Sequence, residues 1–180
     1  DPGVAVVRSW RSWRAGTSES TAAAEDLPVR SSVTVSDMKL SPDSRSVEIS
    51  GAIVSAVWPD FFYIEADDRS SGMRVEKSAN GLSTDKRVSV TGFVRTNDDG
   101  ERYIEAGGVT ESGGGMVEPL GVANRAIGGG DWRYRAGTGE GQRGLKDCFG
   151  LNNIGLLVKA WGRVTASGTD PRAGISWFYL

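Results

Sequence analysis

The sequence contains no histidine and a single cysteine, Cys148. Without histidine, the chain cannot build a Ser-His-Asp triad or a Cys-His nucleophile from its own residues. Zinc sites that use histidine are excluded too, and one cysteine cannot supply a cysteine-rich zinc site. Because Cys148 has no intrachain partner, we expect a small buried apolar residue rather than a reactive thiol. The sequence therefore predicts a protein that is not an enzyme and has no metal site or cofactor.

Positive charge and long apolar runs are also scarce. The formal net charge is −2, whereas a nucleic-acid-binding domain usually has a clear basic excess. No stretch approaches the roughly 20 apolar residues of a membrane span, and no signal peptide is visible. The chain begins at Asp1 without a methionine. We expect a secreted, extracellular or cell-surface protein whose leader has been removed, and a fragment of a longer chain is the alternative.

Glycine, in contrast, is abundant: the chain has 25 glycines, about double the usual share of roughly 7%. They concentrate between residues 107 and 155, which predicts a Gly-rich connector over 113–155. Residues 139–144 (GEGQRG) match the G-x-G-x-x-G pattern of dinucleotide sites. The following LKDCFG is interrupted by Gly150, and no acidic residue lies about 20 positions on, so a surface loop is favoured.

Five segments have the β-branched and aromatic composition of strands and are separated by turn residues. They span 45–57, 61–66, 73–76, 86–96 and 101–106. Gly51 lies within the first segment, where a strand of a small barrel must bend. Residues 77–84 form a brief connection in which we expect one helical turn. Five short strands with a helical connection between the third and fourth predict an all-β, five-stranded Greek-key barrel, the OB-fold, over 32–112.

The same strands resemble the OB-fold domains of large secreted and surface proteins of bacteria. The resemblance is carried by the stretches GAIVSAV, FFYIEADDRSSGMRV, KRVSVTGFVRT and ERYIEA, and it covers about residues 33–109. It implies a barrel fold and, by analogy with such domains, nucleic-acid binding. Its motifs are patterns of strands and turns rather than catalytic signatures.

A second, incomplete OB unit is expected over 156–180. Residues 162–165 (GRVT) are similar to 51–54 (GAIV), and 177–180 (WFYL) are similar to 61–64 (FFYI). The segment between the copies resembles the spacers of tandem OB domains. Only two strands fit in this length, and a lone hairpin is marginal in water. Three interpretations remain open. The hairpin packs on the barrel of its own chain, neighbouring chains supply the missing strands, or the sequence is a fragment that ends within the second OB unit.

An extended β-arm and linker are predicted for residues 1–31. The stretch VAVVRSWRSW alternates like a strand, and 15–26 (AGTSESTAAAED) has the composition of a linker. Exposed strands add to other sheets, so both chain ends are candidate assembly sites. The predicted assembly residues are Val4, Val6, Val7, Trp10, Trp13, Trp177, Phe178, Tyr179 and Leu180. We therefore predict a structural protein that binds copies of itself, as a subunit of an extracellular filament assembled by strand addition.

The alternative prediction is a binding module for single-stranded nucleic acid or glycan. OB-folds bind such strands across their second and third strands, where exposed aromatic rings stack on the ligand. The candidate binding residues are the aromatic Trp58, Phe61, Tyr63 and Tyr103, together with Arg74 and Arg95. These two arginines and Arg69 are the predicted phosphate contacts. Because strand residues alternate between faces, either Phe61 and Tyr63 or Phe62 and Ile64 must belong to the core. The acidic turns at 67–68 and 97–99 lack EF-hand spacing and are expected to be ordinary turns.

Overall fold

The structure is a computed structural model of the chain, and it describes residues 33–79, 81–170 and 175–179. For residues 170, 175, 177 and 178 it describes the backbone. Six of the predicted assembly residues lie outside the described residues: Val4, Val6, Val7, Trp10, Trp13 and Leu180.

Five strands form a closed barrel. They are β1 (Ser46–Val57), β2 (Phe61–Glu65), β3 (Gly72–Glu76), β4 (Lys86–Thr96) and β5 (Arg102–Gly114). The order around the barrel is β1-β2-β3-β5-β4, and β4 pairs with β1 to close it. The pairing of β3 with β5 is parallel, and the other pairings are antiparallel. This order is that of an OB-fold, so the predicted all-β Greek-key barrel is confirmed.

The barrel interior is apolar because alternate residues of each strand face inward. Phe62 and Ile64 are buried, which places Phe61 and Tyr63 on the outer surface. The interior also contains Val47, Ile49, Ala52, Val54, Met73, Val75, Val88, Val90, Val94 and Ile104. The predicted bend at Gly51 is present: this glycine has φ +77°, and the β1–β4 register shifts between Ile49 and Ala52.

The helix lies at a different place from the one that the sequence predicted. Residues 77–79 and 81–84 contain no helix, because the N–H groups of Lys77 and Ala79 donate to the carbonyls of Asp60 and Pro59. The helix is α1 (Val35–Lys39), which precedes β1. A capping box between Thr34 and Asp37 starts it, and its Val35 and Met38 join the core of the barrel.

The segment after the barrel contains short strands rather than only loops. Here β6 (Leu120–Gly121) pairs with β9 (Val158–Lys159), and β7 (Trp132–Arg135) pairs with β8 (Glu140–Gln142). A 3₁₀ turn spans Asn124–Ala126. Residues 139–144 (GEGQRG), expected to form a surface loop, instead contain β8, in which Gly141 and Gln142 are buried. No helix follows them over 143–150. Cys148, expected to be buried, is half-buried because it lies in a turn whose neighbouring residues are exposed.

The last two strands are β10 (Ala166–Asp170) and β11 (Ile175–Tyr179). They pair as a hairpin that, within the described residues, is a separate sheet of two strands. Residues 162–165, which are similar to residues 51–54 of β1, are not in a strand. Among the helices of the described residues, none is both long and apolar enough to cross a membrane.

Candidate ligand-binding face

The outer surface of the barrel carries two rows of side chains that run across four strands. The strand register aligns Tyr63 with Arg74, Arg74 with Tyr103, and Tyr103 with Arg95. Four of the six predicted binding residues therefore lie side by side in one row. The second row, two positions along each strand, contains Phe61, Glu76, Glu105 and Phe93. These two rows, together with Trp58, are called the aromatic face below.

Three aromatic rings of this face, those of Trp58, Phe61 and Tyr63, are clustered at the β1–β2 turn. The rings of Trp58 and Phe61 stack with centroids 4.9 Å apart and planes at 14°. Tyr63 meets both rings edge-on, with centroids 5.8 Å from Trp58 and 6.1 Å from Phe61. The Arg74 guanidinium lies 3.9 Å from the centroid of the Phe61 ring, within cation–π distance. Trp58 keeps 45% of its surface exposed, so it presents a flat apolar surface to solvent.

The turn that carries Trp58 is held by backbone hydrogen bonds. The Trp58 N–H donates to the Phe61 carbonyl over 2.8 Å, which closes the turn around Pro59 and Asp60. The same two residues accept the N–H groups of the β3–β4 connection, as described above. The Trp58 ring is therefore attached to a backbone that is fixed from both sides, which suits a preorganised stacking surface.

The charges of the aromatic face are paired within the face or at its rim. Guanidinium nitrogens of Arg74 lie 3.2 Å from a carboxylate oxygen of Glu76 and 3.7 Å from one of Glu101. The Arg95 guanidinium lies 3.0 Å from a carboxylate oxygen of Glu105. The Tyr63 hydroxyl donates to Glu101 over 2.6 Å. Burial, and then this hydrogen bond, raise the pKa of Tyr63 well above its usual value, so the hydroxyl stays protonated. The face is therefore rich in hydrogen-bonding groups but has no excess of positive charge.

The structure brings all six candidate binding residues to the aromatic face but places Arg69 elsewhere. Arg69 lies in the β2–β3 turn, and its guanidinium donates to the Glu118 carbonyl over 3.4 Å. The predicted set of three phosphate contacts is therefore not assembled.

Sequence reasoning missed Phe93, Glu76, Glu101 and Glu105. The strand alternation contained the signal for Phe93, because it stands one position from the buried Val94 and two from Arg95. Phe93 is 47% exposed, and the Arg95 guanidinium lies 5.9 Å from its ring centroid.

The acidic turns have internal partners. The Asp67 carboxylate accepts two hydrogen bonds of 2.8 Å from Arg87, and Asp68 accepts from the Ser70 N–H. Asn97 accepts the N–H groups of Asp99 and Glu101, which closes the β4–β5 turn. Over the described residues, no three acidic or cysteine side chains come close enough together to hold a metal ion.

Three of the predicted assembly residues lie in β11. The backbone of Trp177, Phe178 and Tyr179 pairs with β10, opposite Gly168, Ser167 and Ala166. The Tyr179 side chain is 64% exposed, and its carbonyl accepts the Thr165 N–H over 2.9 Å.

Comparison with known proteins does not assign the chain to a family. No protein-family model matches the chain. No curated protein matches it significantly. Among solved structures, the hypothetical protein ygiW from E. coli is similar, with 21% sequence identity and a TM-score of 0.38. The match covers 47% of this chain and 94% of ygiW. The fold assignment therefore rests on the strand order of the barrel itself.

Proposed function

We propose that the barrel is a binding module, not an enzyme, and that its aromatic face binds a neutral oligosaccharide. The observation that carries this proposal is the exposed Trp58 ring, which stacks on the half-buried Phe61 beside Tyr63 and Arg74. Preorganised aromatic surface contributes binding energy at little entropic cost, because the rings do not have to be ordered when the ligand arrives.

The chemistry of the face matches that of a sugar ring. One side of a pyranose presents C–H groups that pack on an aromatic ring, while its hydroxyls donate and accept hydrogen bonds. Glu76 and Glu105 supply acceptors, and Arg74 and Arg95 supply donors, next to the rings. With strands about 4.8 Å apart, four strands span about 14 Å, which suits a short oligosaccharide better than a single sugar.

Single-stranded nucleic acid fits the same face less well. A phosphate chain binds by displacing counterions from unpaired basic residues. Here Arg74 and Arg95 are already paired with carboxylates, and Glu76, Glu101 and Glu105 would repel phosphates. The formal net charge of −2 supports the same choice.

The test is calorimetric titration of the chain with cellohexaose, xylohexaose and mannohexaose. We expect one of these to bind, and Trp58→Ala to abolish binding because it removes the exposed half of the stack. Trp161→Ala is the matched control, since Trp161 is also exposed but lies outside the aromatic face. If none binds the wild type, or Trp58→Ala binds as well as Trp161→Ala, the proposal fails. Binding of oligothymidylate instead would replace glycan with nucleic acid.

We also propose self-association through strand addition, in a secreted protein whose partners are copies of itself. It is supported by the C-terminal hairpin, which within the described residues is a two-stranded sheet with exposed side chains along β10. Two-stranded sheets are marginally stable alone and gain stability from further strands. Light scattering and electron microscopy of the full chain, and of chains lacking 1–14 or 166–180, test it. We expect polymers from the full chain and monomers from both truncations; a monomeric full chain contradicts it.

A further inference from the structure

A cavity of about 540 Å³ lies where the segment after the barrel packs against the barrel. Lys39 at the end of α1 and residues 69–71 of the β2–β3 turn are part of its lining. Residues 120–122 and 151–154 form much of the rest. This volume lies within the range of about 300 to 1,000 Å³ that is typical of small-molecule sites. The apolar side chains that line it are Leu120, Val122, Ala126, Trp132, Leu151, Ile154 and Leu156.

Lys39 brings a buried positive charge to this cavity. Its residue is 3% exposed, and its ammonium donates to the Ile154 carbonyl over 2.6 Å. An ammonium has three N–H donors, and within the described residues no carboxylate lies at ion-pair distance from it. Burial lowers the pKa of Lys39 to about 8, while the Glu101 charge opposes this shift, so the ammonium is mostly charged at neutral pH.

A second polar group on the wall also lacks a partner. Ser71 is 4% exposed, and its Oγ has no hydrogen-bond partner within the described residues. The Oγ atom is itself buried, with almost no accessible surface, so it is not counted as a ligand contact, and Lys39 is the donor on which the site depends. The Asn152 and Asn153 amides, in contrast, are already bonded to backbone carbonyls.

We infer that this cavity binds a small apolar molecule that carries one carboxylate. The carboxylate accepts a hydrogen bond from the Lys39 ammonium, and the hydrocarbon part packs against the leucines and Trp132. A carbonyl partner alone does not neutralise a buried ammonium, whereas an anionic ligand does. The inference does not rest on the proposed glycan function, because the cavity and the aromatic face share no residue.

Octanoate is the probe, and octanol is its uncharged match. We expect calorimetry to show octanoate binding to the full chain with one site per protein. Lys39→Met should weaken octanoate binding at least about tenfold, since a hydrogen bond to a charged group is lost, and leave octanol binding unchanged. Lys77→Met is the matched control, because the Lys77 ammonium bonds to the Gly107 carbonyl outside the cavity. Equal octanoate affinity in the Lys39→Met and Lys77→Met variants would overturn the inference.

A measurement on the wild type keeps the test independent of how the variants fold. Methyl NMR shifts on addition of octanoate should be largest at Leu120, Leu151 and Leu156. Shifts confined to residues outside the cavity, or no shifts at millimolar octanoate, would also overturn the inference. The oligosaccharide titration is unaffected by either result, so the two proposals fail separately.

Discussion

The barrel and the segment that follows it, residues 115–164, are held together by different forces. In the barrel, the strands satisfy one another's backbone groups, so the interior can consist of apolar side chains. Residues 115–164 have only short strands, and barrel side chains satisfy part of their backbone. Glu65 accepts the Leu157 N–H over 2.5 Å, and Lys39 donates to the Ile154 carbonyl. A segment with few strand pairs thus depends on a small number of polar side chains.

Arg102 and Gln142 form the most deeply buried of these polar contacts. The Arg102 side chain is fully buried, and its guanidinium bonds to Asp43, to the Thr96 hydroxyl and to the Ser41 carbonyl. Gln142 accepts the Arg102 N–H over 3.1 Å and donates to the Gly100 carbonyl. These contacts join the β4–β5 end of the barrel to β8 and to the chain that follows α1.

The largest effect is expected in the barrel interior. Phe62→Ala should lower the free energy of unfolding by about 3–5 kcal/mol, because it removes a buried ring and leaves a cavity. Guanidinium chloride denaturation followed by circular dichroism measures it. Phe93→Ala, on the exposed surface, should change it by less than about 1 kcal/mol. Similar losses in the two variants would mean that Phe62 is not a core residue.

A smaller loss is expected where the barrel contacts the chain between α1 and β1. Arg102→Met should lower the free energy of unfolding by about 2–4 kcal/mol, because it breaks the ion pair with Asp43 and leaves the Ser41 carbonyl without its donor. Arg95→Met is the matched control, since Arg95 is partly exposed and its ion pair contributes little. A loss below that of the control would contradict a role for Arg102 in anchoring this end of the barrel.

Lys39, which joins α1 to Ile154, should make the free energy of unfolding depend on pH. Burial lowers its folded pKa from 10.5 to about 8, so between these values the unfolded state binds more protons. The free energy of unfolding should therefore rise with pH, by about 2 kcal/mol between roughly pH 7 and pH 9.5. Denaturation at the two pH values measures it. Lys39→Met should remove the rise, and Lys86→Met, at a half-exposed ion pair, should keep it.

A local effect is expected within residues 115–164. The Asn153 side chain accepts the Gly128 N–H over 2.7 Å and donates to the carbonyls of Ala126 and Leu151. Asn153→Ala should lower the free energy of local opening around Gly128 by about 1–2 kcal/mol. Hydrogen exchange at the Gly128 amide should become faster, while barrel amides stay protected. Asn97→Ala, in the β4–β5 turn, is a control that should leave Gly128 unchanged. Uniformly faster exchange across the barrel would show that the two regions unfold as one unit.

The smallest effect is expected on the aromatic face. Glu105→Gln breaks an exposed ion pair with Arg95 and should change the free energy of unfolding by less than about 0.5 kcal/mol. Urea denaturation in low and high salt measures it, and the small effect should shrink further in high salt. A loss above 1 kcal/mol, in the range of the buried contacts, would place the face among the structural elements rather than the binding ones.

How far the structure could be predicted depends on the range of the interactions. The five barrel strands follow from alternation and turn residues, both local properties, and their predicted bounds differ little from the observed ones except that β5 continues to Gly114. The capping box at Thr34 and Asp37 is also local and could have identified α1. The contact of Lys39 with Ile154 joins residues 115 positions apart, and no local pattern indicates it.

The sequence by itself determined the strands, the turns and the absence of histidine chemistry, because each depends on neighbouring residues or on composition. It left open whether Phe61 and Tyr63 or Phe62 and Ile64 face outward, since alternation defines two faces without saying which is buried. Barrel closure decided that, and it aligned Tyr63, Arg74, Tyr103 and Arg95 across four strands. Only the tertiary structure brought Lys39 and Ser71 to one cavity, because that cavity is bounded by segments far apart in the chain.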